Sequence, residues 1–345
     1  GAAADLTLKL DTYLELWSTL ISTGRLAELP GLADKAEALA RALDDGPRLA
    51  RVQLQQAQAI TLARVIPATL ESAINRAHEA FDRADPRDLR TRSYAQYIVG
   101  RACRDLGRIA EAVEEFGAGT MLFASAEQSG EEPGLVFPIY VSLCAWRSEA
   151  CATVGEFQQA LASATEALRT ATQIRHPSSL AISNFYLGYV HALRGDIETA
   201  VPFLERGLAI SSEHEHAGWL TANSLGLAYV LGLLGERERA LAYLAGALAA
   251  AELYLQIYAA VGSLRSLTAS AYLAAGRLEE ARAEVRSGLA ASTERNARGH
   301  RPPLLRLEAE VLAGQESAEP AGALECLREA LALAVELGMR PEVAH

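Results

Sequence analysis

The sequence predicts an all-α solenoid of about eight antiparallel helix pairs. Three observations carry this: a glycine recurring at about forty-residue spacing, small residues kept in phase with it, and a composition 50% apolar but only 6% aromatic. The glycine anchors are Gly24, Gly107, Gly155, Gly195, Gly235, Gly276 and Gly314, with Ala68 where one is missing, in steps of 44, 39, 48, 40, 40, 41 and 38 residues. Five residues after the anchor stands Ala73, Ala112, Ala160, Ala200, Ala240 or Ala281, and twelve after it Ala36, Ala80, Gly119, Ala167, Gly207, Ala247 or Gly288. Those two positions are about two helical turns apart, so they share one face of a second helix, where small side chains let a neighbouring helix approach. Phe116, Leu204, Leu244 and Val285 lie between them as apolar knobs.

The anchor itself sits between helices, as in Leu193-Arg194-Gly195-Asp196 and Leu234-Gly235-Glu236, where glycine takes the left-handed conformation that ends one helix before the next begins. Each unit therefore reads helix, tight turn, helix. The stretch Asn184-Phe185-Tyr186-Leu187-Gly188-Tyr189, followed by Arg194-Gly195-Asp196-Ile197 and Ala200, resembles the tetratricopeptide signature, and so does Tyr97-Ile98-Val99-Gly100 leading to Gly107-Arg108-Ile109 and Ala112. Tetratricopeptide units are 34 residues long, so the helices here must be extended. The longer spacing, and the closing Glu329 to His345 with its Leu-Gly-Met-Arg-Pro, is similar to the C-terminal sensor region of LuxR-type, maltose-activator-like bacterial regulators and of ATPase-containing class III adenylate cyclases. That resemblance implies a right-handed superhelix attached to a transcriptional or cyclase output.

Size agrees, because a solenoid of 345 residues grows without deepening its core. Residues 1–345 are read as one repeat domain. Gly1-Ala2-Ala3-Ala4 looks more like a cut linker than a natural start, so a fragment of a larger regulator is expected. No 18-residue uncharged run is long enough to span a bilayer and no basic-then-apolar leader opens the chain, so no membrane partner is expected. Cys103, Cys144, Cys151 and Cys326 have no short paired spacing and read as packing residues of a reducing, cytoplasmic compartment.

Three stretches interrupt the repeat and are expected as exposed insertions: 125–138, 292–303 and 314–322. His214 and His216 are the one close histidine pair, but no third or fourth metal ligand is assignable beside them, and no cofactor or metal is expected. Phosphate-cradling and nucleophile-elbow motifs are absent, so any catalytic module would lie outside this chain. A net charge of −11 argues against direct nucleic-acid binding. Against that trend, Arg83, Arg87, Arg90, Arg92, Arg101, Arg104 and Arg108 cluster with Tyr94 and Tyr97. Two readings of the cluster stand: a solvated face paired to Asp85, Asp88 and Asp105, or an anchoring patch for an acidic peptide or domain.

Two functional classes follow. The first is a non-enzymatic scaffold that binds a peptide, a protein or the parent's own effector domain on its concave face; the second is a small-molecule receptor with its ligand in the superhelical cavity. In tetratricopeptide-like units the first helices line the concave side, and counting six and ten residues back from the anchors places Tyr97, Arg101, Phe185, Tyr189 and Tyr229 there, with Tyr94 and Arg104 beside them. These seven are the candidate partner-binding residues, suited to an apolar anchor next to an acidic group. The chain stops at Pro341-Glu342-Val343-Ala344-His345, the first turn of a further helix, so the helix around Leu324, Leu327, Leu331 and Leu333 is expected to be partly uncovered and open to self-association.

Overall fold

The computed structural model describes residues 2–22, 25, 28–62, 68–128, 137–258, 262–314 and 320–344. Its helices pair in chain order. The first four are α1 (Ala2–Ser22), α2 (Leu29–Ala42), α3 (Gly46–Leu62) and α4 (Leu70–Arg83), followed by α5 (Leu89–Leu106), α6 (Ile109–Gln128), α7 (Phe137–Thr153) and α8 (Phe157–Ile174). Then come α9 (Pro177–Arg194), α10 (Ile197–Glu213), α11 (Ala217–Leu233), α12 (Arg237–Tyr258), α13 (Gly262–Ala274) and α14 (Leu278–Glu294). A 3-10 turn (Arg298–His300) leads to α15 (Arg301–Ala313), α16 (Pro320–Glu336) and α17 (Arg340–Ala344). The eight pairs from α1–α2 to α15–α16 form a right-handed, tetratricopeptide-like solenoid, and no strand occurs among the described residues.

Five anchors do what the sequence requires of them. Gly107, Gly155, Gly195, Gly235 and Gly276 have φ of 90, 79, 94, 81 and 78°, left-handed values open to glycine at little cost. At Gly195 the N–H of Asp196 donates to the carbonyl of His191 at 2.9 Å, satisfying a helix end as the next helix begins. Gly314 behaves otherwise. It closes α15 at φ −83°, and the left-handed glycine of that region is Gly338 at 69°. Gly338 belongs to a second turn class, between pairs, where Arg175, Glu215 and Asn296 also take positive φ. Gly24 lies outside the described residues.

The small residues are contact points. Ala73, Ala112, Ala160, Ala200, Ala240 and Ala281 are all 0% exposed. The knobs fit facing gaps: Leu204 lies between Gly188 and Gly226, where an added Cβ would come within 2.8 and 2.9 Å of its carbons. Such packing leaves no room for extra volume. Replacing Ala200 with leucine is therefore expected to cost about 1–3 kcal/mol by overpacking, while Glu238→Gln, on an exposed site, should leave the melting temperature unchanged. Equal thermal transitions would contradict the assigned helix contact.

The expected insertions are mostly absent where they can be seen. Helix α6 continues to Gln128 and α7 begins at Phe137, so 125–128 and 137–138 are helical, and residues 129–136 lie outside the described residues, as do 315–319. The stretch 292–303 is no exposed loop. After the αL residue Asn296 it folds into the 3-10 turn, with Ala297 and His300 buried at 2% and 6% exposure. The reason is tertiary: the superhelix winds far enough for its end to meet earlier pairs. Arg295 Nη2 donates to the carbonyls of Ile60 and Thr61 at 2.9 and 3.3 Å, and Arg340 Nε donates to Val154 at 2.5 Å and pairs with Glu156. On α16, Leu324, Leu327, Leu331 and Val335 remain 43–61% exposed. Among the described residues no helix is long and apolar enough to cross a membrane.

Candidate functional site

The first helices of successive pairs, α5, α7, α9, α11 and α13, surround a hollow on the superhelix interior. Its larger chamber, about 110 Å³, is bordered by Tyr97 and Arg101 of α5, Trp146 and Glu149 of α7, and Phe185, Tyr186 and Tyr189 of α9. Trp219 of α11 and Leu264 and Leu267 of α13 close the other side. The rings form a continuous wall. Phe185 stacks on Tyr189 with centroids 5.5 Å apart, meets Tyr186 edge-on at 5.1 Å and approaches Trp219 to 6.1 Å, while Trp146 reaches Tyr186 at 5.4 Å and Tyr97 at 6.3 Å. Offset and edge-to-face contacts of this kind hold rings in place beyond their area of burial.

Charge enters at one end, fully internal. The guanidinium carbons of Arg101 and Arg104 each lie 4.6 Å from the Trp146 ring centre. Arg104 donates to Glu149 Oε2 at 2.8 Å and to Asp105 Oδ1 at 2.7 Å, and His300 Nε2 lies 2.9 Å from the same Asp105 oxygen. Burial opposes ionisation of Asp105, but the Arg104 and His300 side chains beside it hold its carboxyl far below the usual range. Burial would also lower Arg104, and Glu149 and Asp105 overcome it and keep the guanidinium protonated. For Tyr186 and Tyr189 burial wins, pushing both hydroxyls up.

A second chamber of about 90 Å³ continues from the first, since Glu149, Tyr189 and Ser263 border both. Its lining also includes Arg104 and, from the closing part of the superhelix, Gly299, His300, Met339 and Glu342. Gly299 is required there. A Cβ on it would lie 2.1 Å from the Arg104 carbonyl oxygen, so only glycine lets the 3-10 turn dock and bring His300 to Asp105.

Four of the seven candidate residues, Tyr97, Arg101, Phe185 and Tyr189, border the aromatic chamber. The other three lie elsewhere. Arg104, placed by sequence at a groove end, is 4% exposed and borders the second chamber. Tyr94 stacks on Tyr97 at 5.8 Å but faces a separate groove of about 650 Å³ with Trp17, Arg51 and Arg90. Tyr229 borders neither chamber, and burial pushes its hydroxyl up, with Arg306 opposing. The arginine cluster likewise disperses. Arg92 covers the Phe81 ring at 4.2 Å, Arg108 pairs with Glu71, and Asp85 and Asp88 accept from the backbone N–H groups of Arg87 and Thr91. Of the three expected aspartates only Asp105 pairs with an arginine of the cluster.

Trp146, Tyr186, Trp219 and His300 were missed. Trp146 and Tyr186 stand one residue past the ten-back position, and a helix face several residues wide would have included them. His300 had no local signal, because its place depends on contacts 195 residues away in sequence. The His214 and His216 rings are 6.3 Å apart, and no group of three or more metal-ligating side chains occurs among the described residues. Cys103, Cys144 and Cys151 are free and buried, and burial pushes the Cys144 thiol up to about 12, so it packs as a small apolar group.

No protein-family model matches the sequence, and no curated protein does. Solved structures do match the fold. The Rap conjugation gene regulator of plasmid pLS20, solved with a Phr peptide, superposes with a TM-score of 0.64 at 13% identity over 95% of this chain and 96% of its own. A Rap protein complexed with competence and sporulation factor gives 0.62 at 15% identity over 95% and 98%. NprR with its cognate peptide NprX gives 0.57 at 16% over 93% and 88%. At such identities the likeness is one of fold: this chain is a tetratricopeptide-like helical-repeat solenoid of the shape used by those regulators.

Proposed function

We propose that this chain is a non-enzymatic sensor scaffold whose inner hollow binds a peptide through an apolar anchor side chain and passes that occupancy to a transcriptional or cyclase output. The observation carrying the reading is the convergence of six aromatic side chains from four successive first helices on one internal chamber, with charged groups confined to one end. A solenoid of this kind presents its first helices to a ligand, and aromatic walls with few polar groups suit an apolar anchor. The Rap and NprR structures hold peptides in solenoids of the same fold, which supports a peptide here. A second reading, a small molecule, is favoured by the chamber's small size, about 110 Å³.

Titrating the full chain with a peptide library tests the proposal, using isothermal titration calorimetry as the signal. Tyr189→Ala combined with Trp219→Ala, both half-buried, should abolish binding while circular dichroism stays helical. Undiminished binding would move the site to the convex face or to the groove beside Tyr94.

A further inference from the structure

Independently of what fills the hollow, we infer that the contact closing the superhelix is a separable joint, whose release opens both chambers while every helix pair stays folded.

The joint uses one register twice. Residues 295–300, between α14 and α15, lie across the step from the end of α3 to the end of α5. Arg295 donates to the carbonyls of Ile60 and Thr61 at one side, and Gly299 meets the Arg104 carbonyl at the other. Residues 337–341, from α16 into α17, lie across the next step, from α5 to α7. A Cβ on Gly107 would come within 2.9 Å of a Leu337 methyl, and one on Gly155 within 3.4 Å of Arg340 Cβ. The two closing turns therefore dock edge to edge on three helix ends, one repeat apart.

The contact is small and mostly polar. Its apolar part is Leu337 on Gly107 together with the buried Met339. The Arg340 and Glu156 side chains are 63% and 45% exposed, and pairs so wet contribute little. The Ile60 and Thr61 carbonyls belong to a helix end, where water serves as well as Arg295. Opening strands no buried charge. Arg104 keeps Asp105, its neighbour in α5, and Glu149 on α7, and only His300 leaves. The packing inside and between successive pairs does not cross the joint, as with Leu204 between Gly188 and Gly226. Small polar contacts between parts of one chain allow relative motion.

What the joint controls is the width of the hollow. Tyr97 and Arg101 on α5 and Leu264 and Leu267 on α13 border the aromatic chamber from the third and seventh pairs. The second chamber has Arg104 and Glu149 on one side of the joint and Gly299 and His300 on the other. Along the chain the separation of these walls is a sum of small rotations, and the joint fixes that sum.

Gly299→Ala acts as a wedge. Position 299 lies in the 3-10 turn and has no positive φ, so alanine suits the turn itself. Its Cβ would stand 2.1 Å from the Arg104 carbonyl oxygen, a backbone clash that no rotamer relieves, so the turn must move off α5. Gly246→Ala is the control, since that glycine is exposed on α12 with nothing within 4 Å of the added carbon. A staple supplies the reverse change. Cysteines at 155 and 340 would have Cβ atoms 3.4 Å apart, close to the disulfide range of about 3.5–4.5 Å. The left-handed φ of 79° at position 155 strains that cysteine in both redox states alike. Cys326→Ser accompanies the staple, because the other native cysteines are buried.

Small-angle scattering and hydrogen exchange on the full chain read the outcome. Gly299→Ala should raise the radius of gyration and speed amide exchange at Ala297, His300 and Met339 at least about tenfold. Exchange in α9 to α12 and the circular dichroism should stay at wild type, as should everything in Gly246→Ala. Adding Gly155→Cys and Arg340→Cys to Gly299→Ala should return the radius to wild type on oxidation, and dithiothreitol should restore the expansion. Reversal of that kind separates opening from loss of fold. A Gly299→Ala chain as compact and as protected as wild type overturns the inference, as does faster exchange spreading through α9 to α12. So does a staple that fails to form or to compact the wedge variant. None of these outcomes bears on what the hollow binds, so the sensor reading stands or falls by its own titration.

Discussion

Replacing Arg104 with alanine is expected to cost about 3–5 kcal/mol of folding stability, because it strips two buried carboxylates of their partner at once. Asp105 and Glu149, 4% and 9% exposed, both accept from this guanidinium, and Trp146 packs against it. The loss reaches further than α5, since Asp105 also holds His300 of the closing turn. Urea unfolding at neutral pH measures it, and the triple change Arg104→Met, Asp105→Asn, Glu149→Gln should recover part of the stability by removing the stranded charges. A cost under about 1 kcal/mol, the range of exposed ion pairs, would mean the cluster is wet.

The same variant carries a pH signature. The native pKa of Asp105 is depressed, so its contribution is present above the unfolded value of about 3.9 and is lost as pH falls below that range toward the native value. Without Arg104 the depression is largely released. The stability gap between wild type and variant should therefore be full above about pH 5 and narrow below about pH 4. A gap that stays constant on acidification would show that Asp105 does not depend on Arg104.

Phe116→Ala is expected to be of similar size, about 3–5 kcal/mol, from lost transfer free energy plus the cavity left behind. The ring is 0% exposed, lies 6.5 Å from Tyr97, and fills a gap that exists only because position 100 is glycine, where a Cβ would come within 2.6 Å of it. That geometry ties the two positions together. Gly100→Ala alone should destabilise, yet in the Phe116→Ala background its methyl enters vacated space, so the double variant should be less damaged than the sum of the singles. Strict additivity would place the ring elsewhere. Hydrogen exchange should show the loss centred on α5 and α6, since each unit of a solenoid contacts mainly its neighbours.

Gly100 and Phe116 also illustrate what was readable beforehand. Both sit at fixed distances from Gly107, one on each helix of the pair, and their contact depends on local helix geometry that repeats at Gly188 with Leu204. Tyr97, Arg101, Phe185 and Tyr189 were legible for the same reason, since a count from the nearest left-handed glycine places each on the inner face. Tyr229 obeys the same count and still borders neither chamber. Phase within a unit says which way a residue faces, but not what stands opposite.

By itself the sequence determined the repeat, the pairing of helices, the turn glycines and the small residues at helix contacts, because these depend on neighbours within about forty residues and recur at one spacing. Tertiary structure decided the closure of the superhelix: Arg295 on the carbonyls of α3, Gly299 against Arg104, His300 on Asp105 and Arg340 on Glu156. Small rotations from one pair to the next accumulate over the whole chain, and no single unit records their sum. That sum brings α13 opposite α5 and narrows an open concave face to a chamber, with charged side chains buried at one end.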